Sequence, residues 1–525
     1  MATPKAAPKT APGPEAAKPA SGKPSRPRRL SKAAEAALWR RRTALMLLAV
    51  CALRLLLNAA TVIPVHFDEA QYWAYGQERA FGHYSKPPLV GWAILASTQA
   101  LGDTLFGLRA FAPVMHLIIA VFVFAIGERG GGPRLGFWAA AIYTAAPGVS
   151  ISSHLMTTDP VMMAGWALGL YALMRAMEVK PGRKTAEPYG WWALAGAAIG
   201  LGMLAKYTAV AMPLGALGYA LFSREDLPGA PTRRRGALTA GLAGLIVLSP
   251  NLIWQAANGF VTILHLGENS EAAAARIDPA DVAEFWGAQL GVFGPVALAA
   301  LFAALWTSGR RGDWRDRLLI WVSVPLLAAM TAQALLAGAN ANWAAPAYVG
   351  GSVLAAKWLL TRDLRWAKAQ LWSGAALFAA VWALGAVYAV WAADLPRTPD
   401  PFKKMRIGGP FCELALNAME SEGASVLLSN DRRRLSECQF QGGLTFEDVA
   451  VHSPDPIANN HVEFRSRLTE GDDRPMVLIV ESAAQAAEIA ALFETAEPLG
   501  EGYFATHADR EVGYALWYVE GFGGY

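Results

Sequence analysis

The chain has 525 residues, a formal net charge of +4, 54% hydrophobic residues and only 17% charged residues. This composition is too apolar for one soluble domain of that length, and its charges are too few to solvate such a surface. The basic residues form short clusters between apolar runs rather than one basic face, which argues against nucleic acid as a partner. We therefore predict an integral membrane protein.

The N-terminal segment has a different composition from the rest of the chain. Residues 1–40 are mostly Ala, Pro, Lys, Arg and Ser, which cannot bury a core, so we predict a disordered cytoplasmic tail. Basic residues collect just before the first apolar run and predict that the N-terminus lies in the cytoplasm. They are Arg26, Arg28, Arg29, Lys32, Arg40, Arg41 and Arg42.

Apolar runs long enough to cross about 30 Å of hydrocarbon, roughly 20 residues as helix, recur through residues 41–395. We predict an α-helical transmembrane domain there. Keeping the later basic loops, at 129–134, 175–184, 224–235, 310–317 and 362–368, in the cytoplasm gives about eleven spans. They lie near 43–62, 110–127, 135–152, 160–177, 191–206, 208–222, 237–254, 286–307, 318–337, 343–361 and 369–392.

The apolar run at 88–106 is ambiguous. As a span it would place every later basic loop outside, so we assign it to helices that lie at the outer interface. The loops at 63–109, 153–159, 255–285 and 338–342 then face outward. They hold polar residues that are not needed for spanning, which favours an outward-facing active site.

The C-terminal region, 396–525, loses the long apolar runs. Its β-like runs at 424–428, 475–480 and 514–519 alternate with helical patterns at 412–421 and 483–493. We predict a small extracytoplasmic α/β domain. Cys412 and Cys438 both fall in it, and they either pair in an oxidising compartment or remain two buried thiols.

The most informative segment is Phe67-Asp68-Glu69-Ala70-Gln71-Tyr72-Trp73, followed by Gly82-His83-Tyr84-Ser85-Lys86-Pro87-Pro88-Leu89. Further motifs follow in order: Asp159-Pro160, Leu204-Ala205-Lys206-Tyr207, Ser249-Pro250-Asn251-Leu252 and Asn342-Trp343-Ala344-Ala345. Over roughly residues 40–395 this series resembles bacterial glycosyltransferase family 39. That family comprises C-type enzymes related to the protein O-mannosyltransferases and the aminoarabinose transferases.

The resemblance implies a multispan, inverting transferase with a polyprenyl-phosphate sugar as donor, acting on the outer face of the bacterial inner membrane. The acceptor it implies is lipid A, a polysaccharide or a protein. The chemistry of the residues agrees, because a departing phosphate needs positive charge and an acceptor hydroxyl or amine needs a carboxylate to take its proton. Lys86 and Asp68 supply these two groups in one loop.

The resemblance also implies individual roles. By motif position, Asp68 is the catalytic aspartate, Lys86 the phosphate-binding lysine and Asp159 a second aspartate of the site, which we also predict to be catalytic. Each has a structural alternative, because either aspartate can cap a helix N-terminus and Lys86 can be an interfacial anchor. Glu69 either contacts the substrate or forms hydrogen bonds within its own loop.

Two tyrosines and a histidine complete the candidate set. Tyr72 and Tyr84 match aromatic site positions of the family, although tyrosines are common at any membrane interface. His265, in the outer loop 255–285, is a further candidate for phosphate binding, although a lone loop histidine is more often incidental.

One position departs from the family pattern. Aminoarabinose transferases carry an arginine three residues after the motif aspartate, where this chain has Gln71. This favours a different donor or acceptor, with the missing charge supplied by another cation such as Lys206 or Arg109.

Metal-ligand spacing is not evident in the sequence, so no cofactor is required and a divalent cation is left open. A multispan transporter or a flippase for lipid-linked sugars is the main rival, but the unusual polar residues cluster outside rather than at mid-span. A noncatalytic scaffold would leave the acidic loop unexplained.

The predicted topology can be tested by cysteine-accessibility labelling. Cysteines placed at Ser270 and Glu422 should react with an impermeant reagent from outside, and those at Gly312 and Gly182 only from inside. Outside labelling at Gly312 would instead show that the run at 88–106 crosses the membrane.

Overall fold

The computed structural model describes residues 1–10, 13, 31–178, 187–222, 230–271 and 277–525. Several positions discussed above lie outside these ranges: Arg26, Arg28, Arg29, Gly182 and parts of the basic loops at 175–184 and 224–235.

The first half of the membrane region is a series of helices of very unequal length. They are α1 Lys32–Ala59, α2 Phe67–Glu78, α3 Leu89–Leu101, α4 Leu105–Arg109, α5 Phe111–Gly131, α6 Pro133–Thr144, α7 Pro147–Ser152 and α8 Thr158–Glu178. The first helix begins inside the segment predicted to be disordered, so that boundary is wrong. Ser31 caps it by accepting a hydrogen bond from the amide of Ala34 at 3.2 Å, and the Ala-rich run that follows favours helix.

The second half continues in the same way to residue 391. Its helices are α9 Glu187–Ala205, α10 Ala211–Phe222, α11 Ala230–Ala257, α12 Val261–Glu271, α13 Pro279–Val292, α14 Pro295–Arg311, α15 Trp314–Ala337, α16 Ala347–Leu360 and α17 Leu364–Trp391. Short 3-10 turns at Tyr207–Val210, Ala341–Ala344 and Ala392–Asp394 join some of them.

The chain is a polytopic helical membrane protein. Among the described residues, five helices are long and apolar enough to cross a membrane, or six when a strongly bent pair is counted as one span. The run at 88–106 contains the 13-residue helix α3, about 20 Å long and therefore shorter than the hydrocarbon core. The total of eleven spans stays a prediction.

Two of the predicted spans are broken. The span at 135–152 is divided into α6 and α7 just before Pro147, and the span at 286–307 is divided into α13 and α14, which meet at a bend of 109°. Gly294 at the second break has a φ of 94°, and a Cβ there would lie 2.2 Å from the Gln370 side chain. Only glycine fits this position, which is why the chain bends there.

The C-terminal region is an α/β unit with one mixed sheet. Its elements are α18 Gly408–Glu422, β1 Val426–Ser429, α19 Arg432–Gly442, β2 Val449–Val451, α20 His461–Ser466, β3 Met476–Val480, α21 Ala483–Ala490, β4 Phe493–His507 and β5 Arg510–Phe522. The strand order is β2-β1-β3-β5-β4, with β1 parallel to β2 and β3 and with β5 antiparallel to β3 and β4.

The β-like runs predicted at 424–428, 475–480 and 514–519 overlap β1, β3 and β5. The predicted helix at 483–493 is too long, because α21 ends at Ala490 and Phe493 begins β4. The prediction also missed β4, which carries Pro498 and glycines that are typical of turns. Since β4 lies at the edge of the sheet and pairs only with β5, it tolerates a residue without an amide N–H.

A disulfide joins Cys412 of α18 to Cys438 of α19, with 5.0 Å between their Cα atoms. Replacing both with alanine should lower the free energy of unfolding of this unit by about 3 kcal/mol in the chain-entropy model. Thermal unfolding of the purified full chain measures this. Cys51→Ala is the control, because Cys51 is a free, buried thiol in α1. Recovery of both thiols free from freshly isolated membranes would contradict the pairing.

Candidate functional site

The acidic motif forms the first turn of α2. His66 caps this helix through Nδ1, which accepts from the Asp68 amide at 3.2 Å, while Glu69 Oε2 accepts from the His66 amide at 3.1 Å. This is a capping box, with the cap residue and the third helical residue bonded reciprocally. The capping alternative for Asp68 is therefore wrong; its half-exposed carboxylate lies 3.7 Å from His66 Nδ1 and accepts no hydrogen bond from a described residue.

Glu69 points in the opposite direction, into the protein. Its side chain is fully buried and binds the Arg109 guanidinium, with Arg109 Nη2 at 2.7 Å from Oε2, and it accepts from the Met156 amide at 2.9 Å. Arg109 also donates to the carbonyls of Ile63 and Pro64. The predicted substrate contact of Glu69 and the predicted phosphate role of Arg109 are thus both corrected, because the two side chains bind each other in the protein interior.

Lys86 lies on a loop that is tightly held. The loop turns back on itself through a hydrogen bond from the His83 amide to the Lys86 carbonyl at 3.0 Å. The His83 ring stacks on Tyr75 at 4.2 Å, and the Thr262 hydroxyl donates to the His83 carbonyl at 2.7 Å. The two prolines that follow Lys86 restrict the backbone further. Lys86 is therefore presented by a rigid turn.

The Lys86 ammonium is half-buried, and it makes no hydrogen bond or ion pair within the described parts of the chain. Burial lowers the pKa of Lys86, and Lys206 lowers it further, whereas Asp68 and Asp159 raise it. The charges of Asp68, Asp159 and Lys206 are therefore near enough to Lys86 to act on its ammonium. A half-buried ammonium without a protein partner is suited to an incoming anion.

Asp159 sits in the first turn of α8 and is itself buried. Its Oδ1 accepts from Lys206 Nζ at 2.7 Å and its Oδ2 from Asn342 Nδ2 at 2.5 Å. Both oxygens are thus committed to side chains from elsewhere in the bundle rather than to capping α8. Asp159 joins the site as the partner of Lys206, and it is less available than Asp68 to take a proton.

Tyr72 and Tyr84 lie in different surroundings. Tyr72 is buried on α2; burial raises the pKa of its hydroxyl, and the Asp68 carboxylate raises it further. Tyr84 instead donates its hydroxyl to the Ala458 carbonyl at 2.6 Å, and its amide donates to His461 Nδ1 at 3.1 Å. The His265 ring lies 5.0 Å from the Tyr84 ring. These contacts favour packing roles for Tyr84 and His265 over the predicted substrate contact.

The C-terminal unit contributes to the site in a way that the motifs did not reveal. Its helix α19 packs against α2, where the Phe440 ring meets Trp73 edge-on at 5.6 Å and the Arg433 guanidinium lies 5.2 Å over the Phe67 ring. Glu78 at the end of α2 binds Arg465 and His461 of α20. The docking contacts are both aromatic and ionic, and the sequence motifs indicated neither.

No group of three His, Cys, Asp or Glu side chains is placed to hold a metal ion among residues 31–178, 187–222, 230–271 and 277–525. The prediction that the chain needs no cofactor stays a prediction.

Comparisons with known proteins show which families the chain is similar to. The family model for dolichyl-phosphate-mannose-protein mannosyltransferases matches residues 85–254, which include Lys86, Asp159 and Lys206. Lipid A galacturonosyltransferase RgtD from Rhizobium johnstonii is 33% identical over 304 residues, 57% of this chain and 61% of that protein. Undecaprenyl phosphate-alpha-4-amino-4-deoxy-L-arabinose arabinosyl transferase 1 from Pseudomonas fluorescens is 26% identical over 173 residues, 30% of each chain.

Among solved structures, ArnT from Cupriavidus metallidurans matches 92% of this chain and 98% of its own. The TM-score is 0.60 for the apo state at 15% identity and 0.64 for the form bound to undecaprenyl phosphate at 14% identity. These structures establish the fold. The matches together confirm the resemblance to glycosyltransferase family 39, while the aligned segments span less than two thirds of either curated relative.

The contrast between the two adjacent carboxylates gives a prediction. Glu69→Gln leaves the buried Arg109 guanidinium without a counter-charge, which should lower the free energy of unfolding by about 3 kcal/mol. Asp68→Asn is the matched control and should unfold at the wild-type temperature, since its carboxylate is half-exposed. Thermal unfolding in detergent measures both. A Glu69→Gln protein that unfolds like the wild type would contradict the structural role.

Proposed function

We propose that this protein is a glycosyltransferase that moves a sugar from a polyprenyl-phosphate donor to an acceptor at the membrane surface. The observation that carries the proposal is the Lys86 ammonium, which has no hydrogen bond or ion pair among the described residues and lies within range of the charge of the half-exposed Asp68 carboxylate. A cation for the leaving phosphate and a base for the acceptor are the two groups that this transfer needs.

The roles follow from the contacts. The phosphate of the donor binds at Lys86, with Lys206 nearby and held in place by Asp159. Asp68 takes the proton of the acceptor hydroxyl as its oxygen attacks the anomeric carbon. The bond from that carbon to the phosphate oxygen breaks, and the lipid phosphate leaves with the electron pair. One displacement of this kind inverts the anomeric centre.

The relatives support the choice of substrates. RgtD is named as a lipid A galacturonosyltransferase, and the ArnT structure of the same fold holds undecaprenyl phosphate. We propose a polyprenyl phosphate carrier for the donor and lipid A as the acceptor. The basic clusters next to the apolar runs further support a site on the outer face of the inner membrane, with the N-terminus inside and residues 396–525 outside.

The proposal predicts different kinetic effects for the two central residues. Asp68→Asn retains size and hydrogen bonding but removes basicity, so kcat should fall on the order of 10² or more. Lys86→Ala should mainly raise KM for the donor, because the lost charge faces the phosphate before as well as during transfer. The measurement is sugar transfer from a polyprenyl-phosphate donor to lipid A by purified protein.

Protein yield and unfolding temperature serve as controls for both variants. Wild-type turnover by a well-folded Asp68→Asn protein would refute the base assignment. The absence of any transfer by the wild type across a full panel of donors would favour a transporter.

A further inference from the structure

Three consecutive arginines begin helix α19, and their surroundings differ. Arg434 binds Glu437 and Glu481, and Arg433 lies over the Phe67 ring. Arg432 is half-buried and makes no hydrogen bond or ion pair with any residue that the structure describes. Burying a guanidinium without a hydrogen-bond partner costs free energy, so Arg432 is suited to binding an anionic group of a ligand.

The position of α19 brings Arg432 close to the site. Asp431 caps the helix by accepting from the Arg433 amide at 2.8 Å, which places Arg432 in the first turn. Because Arg433 of that turn covers Phe67, the first turn of α19 lies against the first turn of α2, where Asp68 sits.

Charge effects indicate the same location. Burial raises the pKa of Tyr72 and of Tyr75, and the positive charge of Arg432 opposes this in both. Arg432 also adds to the lowering of the Lys86 pKa, after burial and Lys206. Because Lys206 is paired with Asp159, Lys86 and Arg432 are the two nearby cations without a hydrogen bond or ion pair among the described residues. Two such cations suit a donor with two anionic groups, the phosphodiester and a second one on the sugar.

Gln71 adds an independent observation. It lies one turn after Asp68, on the same face of α2, and its side chain is only 6% exposed. Its Nε2 group is buried without a hydrogen-bond partner within the described part of the chain. A buried amide donor of this kind is normally satisfied, so it too is suited to an oxygen acceptor from a ligand.

We propose that Arg432 binds the carboxylate of a uronic acid carried by the donor and so selects this class of sugar. A guanidinium recognises a carboxylate through two parallel hydrogen bonds, which a neutral hydroxymethyl group cannot accept in the same way. The C-terminal unit is then part of the donor site. This inference rests on the proposed transferase function.

The test compares two donors that differ only at C6: polyprenyl phosphate galacturonate and polyprenyl phosphate galactose. Purified full-length wild type should prefer the uronate. Arg432→Gln should lower kcat/KM for the uronate donor by about 30-fold or more and change that for the galactose donor by less than about threefold. Arg433→Gln, with the same charge change on the adjacent residue, should leave the preference between the two donors as in the wild type.

Several results would overturn the inference. An equal loss with both donors would place Arg432 at the phosphate, and an unchanged preference would place it outside the sugar site. A matching loss in Arg433→Gln would show that the effect comes from docking of α19 rather than from a contact with the sugar. Wild-type protein that transfers neither sugar would overturn this inference, and transfer of another sugar from the full donor panel would leave the proposed function standing. Unfolding temperatures equal to the wild type confirm that the variants are folded.

Discussion

The buried ion pair between Glu69 and Arg109 is the interaction on which the site depends. It joins the start of α2 to the end of α4, and its remaining hydrogen bonds reach the carbonyls of Ile63 and Pro64 and the amide of Met156. Burying two charges is costly unless every donor and acceptor is satisfied, and here the side chains and backbone groups provide that. The result is that the adjacent Asp68 is held at a fixed place, facing away from the pair.

The C-terminal unit is connected to this same loop rather than attached as a separate appendage. Glu78 at the far end of α2 binds Arg465 and His461, and Tyr84 reaches the Ala458 carbonyl. The first loop therefore lies between the helical bundle and the α/β unit. This arrangement explains how α19, which is distant in sequence, can bring the charge of Arg432 to the site. We therefore propose that docking of the C-terminal unit contributes to substrate binding.

The sequence predicted much of this site because its chemistry is local. Asp68 and Lys86 stand in recognisable motifs, and Lys86 lies within range of the charges of Asp68, Asp159 and Lys206, while their catalytic and binding roles stay predictions. The pattern left the role of Glu69 open, because the sequence does not show that this carboxylate is buried against an arginine. Arg432 was missed for a different reason, since nothing near it in the chain marks which of three arginines lacks a partner.

For the fold as well, some features were predicted from the sequence and others were missed. Long apolar runs and β-like runs predicted elements that are present, but the prediction missed the break at Pro147, which has a local cause, and the bend at Gly294, which packs against the distant Gln370. The edge strand β4 was hidden because its proline and glycines are tolerated only where one side of a strand has no partner.

Phosphate binding by Lys86 can be tested with a structure of the purified protein that holds undecaprenyl phosphate. We expect the phosphate to lie within hydrogen-bond distance of Lys86 Nζ, near Asp68 and Lys206. A phosphate that binds elsewhere on the protein, with Lys86 still unpartnered, would contradict it.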